Sequence, residues 1–263
     1  AGQHDAFSIR DLFGGQPQPS IRSAVITGGS GVIGLELFGS IGSASQLEGV
    51  LLTDNTFSSL AYPHVATVGW WTGVVAYNPA PQAATITITP YDANGGQLTP
   101  QNVPLAGGAK YVGAVGIDLL LPARTAWFRI DSTRPLAGFE LFGTTDGRQL
   151  AAYGEGGTGS TAGVFPKIEK NGGWTGIAFV NTAAATASVT LTAYNNSGGA
   201  VGTRTLTLAG HAKIVELVPN IFAGQDVASA TYIAFTSNRS VVGFQLNGSA
   251  DDTMLDGLPG LAN

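Results

Sequence analysis

The chain has 263 residues, 44% of them apolar and only 11% charged, with a net charge of −5, 38 glycines and no cysteine. So low a charged share, against ~25% in ordinary soluble domains, suits an extracellular β-protein whose solvent face is built from Thr, Ser and Asn. The acidic balance excludes the basic footprint of a nucleic-acid binder, no apolar run approaches the roughly 20 residues of a membrane helix, and the missing thiols remove disulfides, thiol catalysis and thiolate metal sites.

The chain opens Ala1-Gly2-Gln3 without Met, as after removal of a secretion signal. Residues 1–53 come first, and two of their segments recur farther along. Leu12-Phe13-Gly14-Gly15-Gln16 meets Ile221-Phe222-Ala223-Gly224-Gln225, and Gly34-Leu35-Glu36-Leu37-Phe38-Gly39 meets Gly243-Phe244-Gln245-Leu246-Asn247-Gly248, both at an offset of 209. The opening piece therefore reads as the second half of a repeat whose first half is missing. Between these segments, Thr27-Gly28-Gly29-Ser30-Gly31-Val32-Ile33-Gly34 contains G-x-G-x-x-G and resembles the nucleotide loop of short-chain dehydrogenases. That loop works only where a strand turns into a helix. The aligned segments, Asp131–Pro135 and Thr236–Ser240, read as turns into further strands, and no Tyr-x-x-x-Lys is present. A turn is expected here, and no cofactor.

The first full copy follows, expected over 62–154, and the second over 165–258. Trp71-Thr72-Gly73 recurs as Trp174-Thr175-Gly176, an offset of 174 − 71 = 103. At that offset Asn78 meets Asn181, Thr85–Thr89 meets Ser188–Thr192, and Leu105–Lys110 meets Leu208–Lys213. Strict alternation puts Ile86 and Ile88 on one face and threonines on the other, the mark of a half-buried strand. The same reasoning makes Phe139 and Leu141 the inward pair of Gly138–Phe142. Asp92–Gly96 and Asn195–Gly199 supply the residues that tight turns require. Ile117–Leu121 and Val218–Phe222 are the plausible helical turns, and Thr53–Ala61 and Gly154–Gly163 read as linkers. About seven short strands per hundred residues predict an all-β fold of tandem immunoglobulin-like sandwiches with an N-terminal half-module.

The run Pro63-His64-Val65-Ala66, followed by Trp71-Thr72-Gly73-Val74-Val75-Ala76-Tyr77-Asn78-Pro79, resembles the tandem "FPHIA…WxTGIAxxNP" repeats of secreted bacterial proteins. The second copy departs from it at Lys167 and Thr182. The resemblance spans nearly the whole chain and implies secretion and a sandwich fold; it supplies no catalytic residues.

Candidate chemistry is sparse. His4, His64 and His211 do not stand at metal-ligand spacing, and no G-x-S-x-G or histidine-paired serine points to a nucleophile. Asp92–Gly95 and Asp251-Asp252 lack the spacing of a calcium loop. Glu36 and Glu140 recur but are replaced by Gln245 in the third copy, so a solvent-facing strand position is expected, with a carboxylate-dependent hydrolase as an alternative. Trp71 and Trp174 are expected to seal a sandwich end. Of Trp127 and Phe128 one should point outward, which makes Trp70, Trp127 and Tyr232 the candidates for stacking on a sugar. Three N-x-S triplets, at Asn195, Asn238 and Asn247, receive no role. Phe13, Ile26, Leu35 and Leu37 would be left bare by half a sandwich and form the expected assembly face. The resulting expectation is a non-catalytic fibre, surface-layer or adhesin-stalk subunit. It would associate with itself or a neighbouring surface protein, with polysaccharide binding as the alternative.

Overall fold

The computed structural model describes residues 4–28, 31–40, 46–154, 157 and 159–260. Gly29 and Ser30 of the glycine-rich motif, and Glu155, Gly156 and Thr158 of the second expected linker, lie outside the described residues. The chain separates into two compact units, Ala1–Gly34 and Leu35–Asn263, so the division falls inside the expected half-module.

The first unit holds one short helix, α1 (Ile9–Leu12), which the sequence reading missed. Ser8 and Asp11 close a capping box at its start, satisfying two amides that a helix end leaves free. It ends at Phe13, where Gly14 and Gly15 take φ of 62° and 82°, a region open to glycine without steric cost. Residues 21–28 form no strand and Ile26 is exposed, as is Phe13. The expected β-layer is therefore not formed here. At offset 209, residues 23–28 align with Tyr232–Ser237, whose pairing partners have no counterpart in this unit; a strand without a neighbour leaves its backbone groups unpaired. Nor does a helix follow Gly31, which leads by an extended segment into a strand at Leu35.

The second unit is all-β apart from one helical turn. Its first two strands, β1 (Leu35–Gly39) and β2 (Leu47–Leu51), form an antiparallel hairpin. A first sandwich follows, of β3 (Phe57–Tyr62), β4 (Trp70–Tyr77), β5 (Ala84–Tyr91), β6 (Gln101–Leu105), β7 (Lys110–Ala114), β8 (Trp127–Thr144) and β9 (Leu150–Gly154). The second comprises β10 (Ser160–Phe165), β11 (Trp174–Asn181), β12 (Ala187–Tyr194), β13 (Ala200–Leu208), β14 (Lys213–Leu217), the helical turn α2 (Val218–Ile221), β15 (Tyr232–Gly248) and β16 (Leu255–Pro259). Strand order is the same in both: β6-β5-β8-β4-β7 with β3 and β9 also on β8, and β13-β12-β15-β11-β14 with β10 and β16 also on β15.

The 18-residue β8 belongs to two layers. Its first half pairs with β5 and β3, its second with β4 and β9. Asp131–Pro135 is thus a passage between partners inside one strand, and the expected turn is not there. Pro135 is tolerated because no ladder pairs at that residue. The shared strand distinguishes these sandwiches from immunoglobulin domains, whose two sheets are separate. The first expected linker is likewise half strand, since β3 pairs with β8 across a bulge at Phe57/Ser59.

Each sandwich closes over the alternating residues. Ile86 and Ile88 pack with Leu60, Tyr62, Phe128 and Ile130; Val189 and Leu191 pack with Phe165, Phe179 and Phe235. Asn78 and Asn181 are wholly buried, and each donates to three backbone carbonyls and accepts one backbone N–H. Burying an amide demands such complete satisfaction. The inward assignment of Phe139 and Leu141 is reversed. Gly138, Glu140 and Phe142 take the covered face, where a side chain at Gly138 would strike Tyr62 and Val75, while Phe139 faces the hairpin and stacks on Phe38 at 6.2 Å.

Candidate functional site

The functional candidate lies where the first sandwich meets the second. Phe142 stacks on Phe244 with ring centroids 5.1 Å apart, and Tyr153 meets Phe244 edge-on at 5.2 Å. Ala178, Val180 and Val242 complete this buried cluster. Gln149 Nε2 donates to the Met254 carbonyl at 3.1 Å. The hairpin meets the first sandwich in the same way. Phe38 and Phe139 stand where Phe142 and Phe244 stand one repeat later, and Gln46 Nε2 donates to the Gln149 carbonyl at 3.0 Å.

A second grip lies along the turns. Tyr91 and Trp127 stack at 4.4 Å, and Trp127 Nε1 donates to the His211 carbonyl at 2.9 Å. His211 sits in the loop before β14 at a φ of 58°, its ring 5.0 Å from Tyr91. The Asp92–Gly96 turn presses on that loop, with the Lys213 N–H donating to the Ala93 carbonyl at 3.0 Å. Gly95 needs its missing side chain, since a Cβ would strike the Gly210 carbonyl. The Asp92 carboxylate accepts the N–H groups of Asn94 and Gly96, so it serves the turn.

Three ionisable groups lie in this junction. Lys213 Nζ and His64 Nδ1 share a hydrogen bond at 2.6 Å, and Lys213 Nζ donates to the Ala126 carbonyl at 2.8 Å. Glu140 is fully buried and neither carboxyl oxygen has a hydrogen-bond partner. Burial pushes the Glu140 carboxyl well up, against the pull of the Lys213 charge. Burial also lowers Lys213 to about 7, partly offset by Glu140, and lowers His64 to about 3, helped by the Lys213 charge. A charge is costly in such surroundings, and each group responds by favouring its neutral form. The solvent-facing position expected for Glu140 is thereby overturned: the side chain sits under Tyr62 and His64, on the face that the second sandwich covers. Glu36 remains exposed on β1. The charge that acts on Glu140 is that of the Lys213 amine.

Two cavities flank the His64–Lys213 contact. One, of about 450 Å³, is lined by His64, Trp70, Phe142, Trp174, Glu216 and Phe244 among others. The other, of about 360 Å³, is lined by Arg124, Thr125, Lys213 and neighbours, and shares Val65, Thr67 and Val215 with the first. Trp70 thus lines the first cavity together with Trp174, the repeat counterpart of Trp71. Trp127 does not serve as an exposed platform. Both Trp127 and Phe128 are fully buried, because the face opposite the sandwich core is covered by the His211 loop. Tyr232 is half-buried and stacks on Tyr194 at 5.1 Å, away from these cavities. Leu35 and Leu37 are 55% and 62% exposed on β1. Among the described residues no group of three or more His, Asp or Glu side chains gathers as metal ligands.

The junction role of His64, Glu140, Phe142 and His211 was not read from the sequence, although a signal was present. Their repeat partners are Lys167, Gln245, Asn247 and Gly108. Positions where otherwise matching copies disagree mark the residues that face a neighbour present on one side only. No protein-family model matches the chain, and no curated protein matches it.

Proposed function

We propose that this chain is a non-catalytic, extracellular structural protein, a stalk or surface-layer component built from tandem copies of one sandwich that stack on each other. The repeated contact carries the reading: the hairpin rests on the first sandwich through the same ring pair and the same glutamine bond that join the two sandwiches. Stacked like units are natural spacers, with each unit touching only its neighbours. The hydroxyl-rich, lightly charged surface and the resemblance to secreted repeats support the compartment.

The far face of the second sandwich differs from that of the first. Asn247 replaces Phe142, and its side chain is held by Thr175, Gln245 and Asp256. Lys167, in the place of His64, pairs with Glu169 at 2.9 Å and Asp256 at 3.5 Å. A polar outer face is how a stack is capped, so the chain reads as a capping member open on its hairpin side. Electron microscopy and light scattering of the purified chain test this. Discrete particles with an intact junction are expected, and a chain that degrades a polysaccharide would overturn the non-catalytic reading.

A second reading, saccharide binding, is favoured by Trp70 and Trp174 lining one cavity, since indole faces stack on sugar rings. Tryptophan emission titrated with polysaccharides tests it; an unchanged spectrum removes it.

A further inference from the structure

Each complete sandwich seats a tryptophan on a glycine. Trp71, on β4, lies over Gly143 of β8 so closely that a side chain there would run into the indole, and Trp174, on β11, lies over Gly248 of β15 in the same way. The strands are paired when this happens, Trp71 opposite Gly143 and Trp174 opposite Gly248. The hairpin reproduces the receiving half of this arrangement. Its register, Leu35↔Leu51 to Gly39↔Leu47, matches Phe139↔Gly154 to Gly143↔Leu150 in β8 and β9, and Phe244↔Pro259 to Gly248↔Leu255 in β15 and β16.

Among the described residues no strand supplies the donating half: β1 pairs with β2 alone, in a two-stranded sheet, so the edge that β4 and β11 fill elsewhere has no described strand on it. Gly39 stands where Gly143 and Gly248 receive an indole, and the atoms nearest to the place of its missing side chain are backbone atoms of Gln46 and Leu47. Around this edge Leu35, Leu37, Leu47 and Leu51 are exposed. On β7 of the first sandwich Val112 is 57% exposed, and its counterpart Val215, at the rim of the junction cavities, is 45% exposed. Bare edges and apolar faces of this size invite pairing with another chain.

We propose that the free edge of β1 is a docking site for a strand with the sequence pattern of the first half of the same repeat. This strand has the pattern Trp-Thr-Gly followed by apolar residues, enters antiparallel to β1, and places its indole on Gly39. The mode is strand addition, in which backbone hydrogen bonds hold the segment and a side-chain slot selects it. The inference rests on the stacked-sandwich reading and names the partner that the hairpin side would take.

The test uses the full chain and a labelled peptide with the sequence of residues 173–182, followed by fluorescence anisotropy and hydrogen exchange. Saturable one-to-one binding is expected, weakened about thirtyfold when the peptide's tryptophan is replaced by alanine, as for a buried aromatic anchor. New protection is expected on the amides of residues 35–39, with β4 and β11 unchanged. Absence of saturation up to about 1 mM, equal binding of the alanine peptide, or protection confined to β8 or β15 overturns the proposal. The particle size and polysaccharide assays of the previous section are run without peptide, so failure of the docking site and failure of the structural reading remain separate results.

Discussion

Replacing His64 by glutamine should flatten the acid side of the stability profile. Burial among Phe142, Phe244 and the Lys213 amine keeps the folded ring neutral down to about 3, against an ordinary 6.5. Its unfolded counterpart takes up a proton as the pH falls through 6.5, so the folded state loses ground from there downward. By about pH 4 the loss reaches at most about 3.4 kcal/mol, and about 2 kcal/mol once the ring's partial exposure is allowed for. For a unit of this size that is a fall of about 4–8 °C in melting temperature beyond the fall shared with other groups. His64→Gln keeps an acceptor for Lys213 and has nothing to protonate. Circular dichroism melts of both proteins at about pH 7.5 and pH 4 give the comparison. Equal acid losses in the two would refute the buried neutral imidazole.

Glu140→Gln should be more stable than the natural chain at about pH 9, by about 1–3 kcal/mol. A carboxyl whose folded pKa is raised loses stability as pH climbs above its unfolded value, and by then the Lys213 amine is neutral and leaves it unpaired; the difference should vanish near pH 4, read by urea midpoints. Phe142→Ala removes the ring stacked on Phe244 and should cost about 3–5 kcal/mol. It should also split the calorimetric transition in two as the sandwiches uncouple; a single transition at an unshifted midpoint counts against the junction described. Gly248→Ala would drive a methyl into the Trp174 indole and should cost about 1–3 kcal/mol, with a change in tryptophan emission. The same substitution at Gly39, which has no indole above it, should leave emission unaltered.

Much of the strand content was legible because it depends on local pattern. Alternation in Ala84–Tyr91 and Ala187–Tyr194 gave the core face correctly, with Ile86, Ile88, Val189 and Leu191 buried and the threonines less so. The turns after Asp92 and Asn195 follow from side chains that bond their own backbone. Period two names two faces, however, and does not say which is inward. In β8 both are covered, one by the sandwich and its successor, the other by the hairpin. Apolarity therefore pointed to Phe139 and Leu141 while Glu140 went inside. The same double cover hid Trp127. Residues 21–28 failed in the opposite direction: their β-rich sequence has no partner strand, and pairing is a property of two segments. The junction groups His64, Glu140 and Lys213 come from three distant strands or loops, so spacing alone could not assemble them.

The shared strands β8 and β15 have a mechanical consequence. In a sandwich of two separate sheets, the layers are joined by side-chain contacts and by the loops that cross between them. Here a single covalent backbone runs from one layer into the next, anchored by four neighbours along its length. Tension along such a rail is borne by its peptide bonds, while the ladders on either side are sheared all at once. A tether made this way would give in one abrupt event per sandwich.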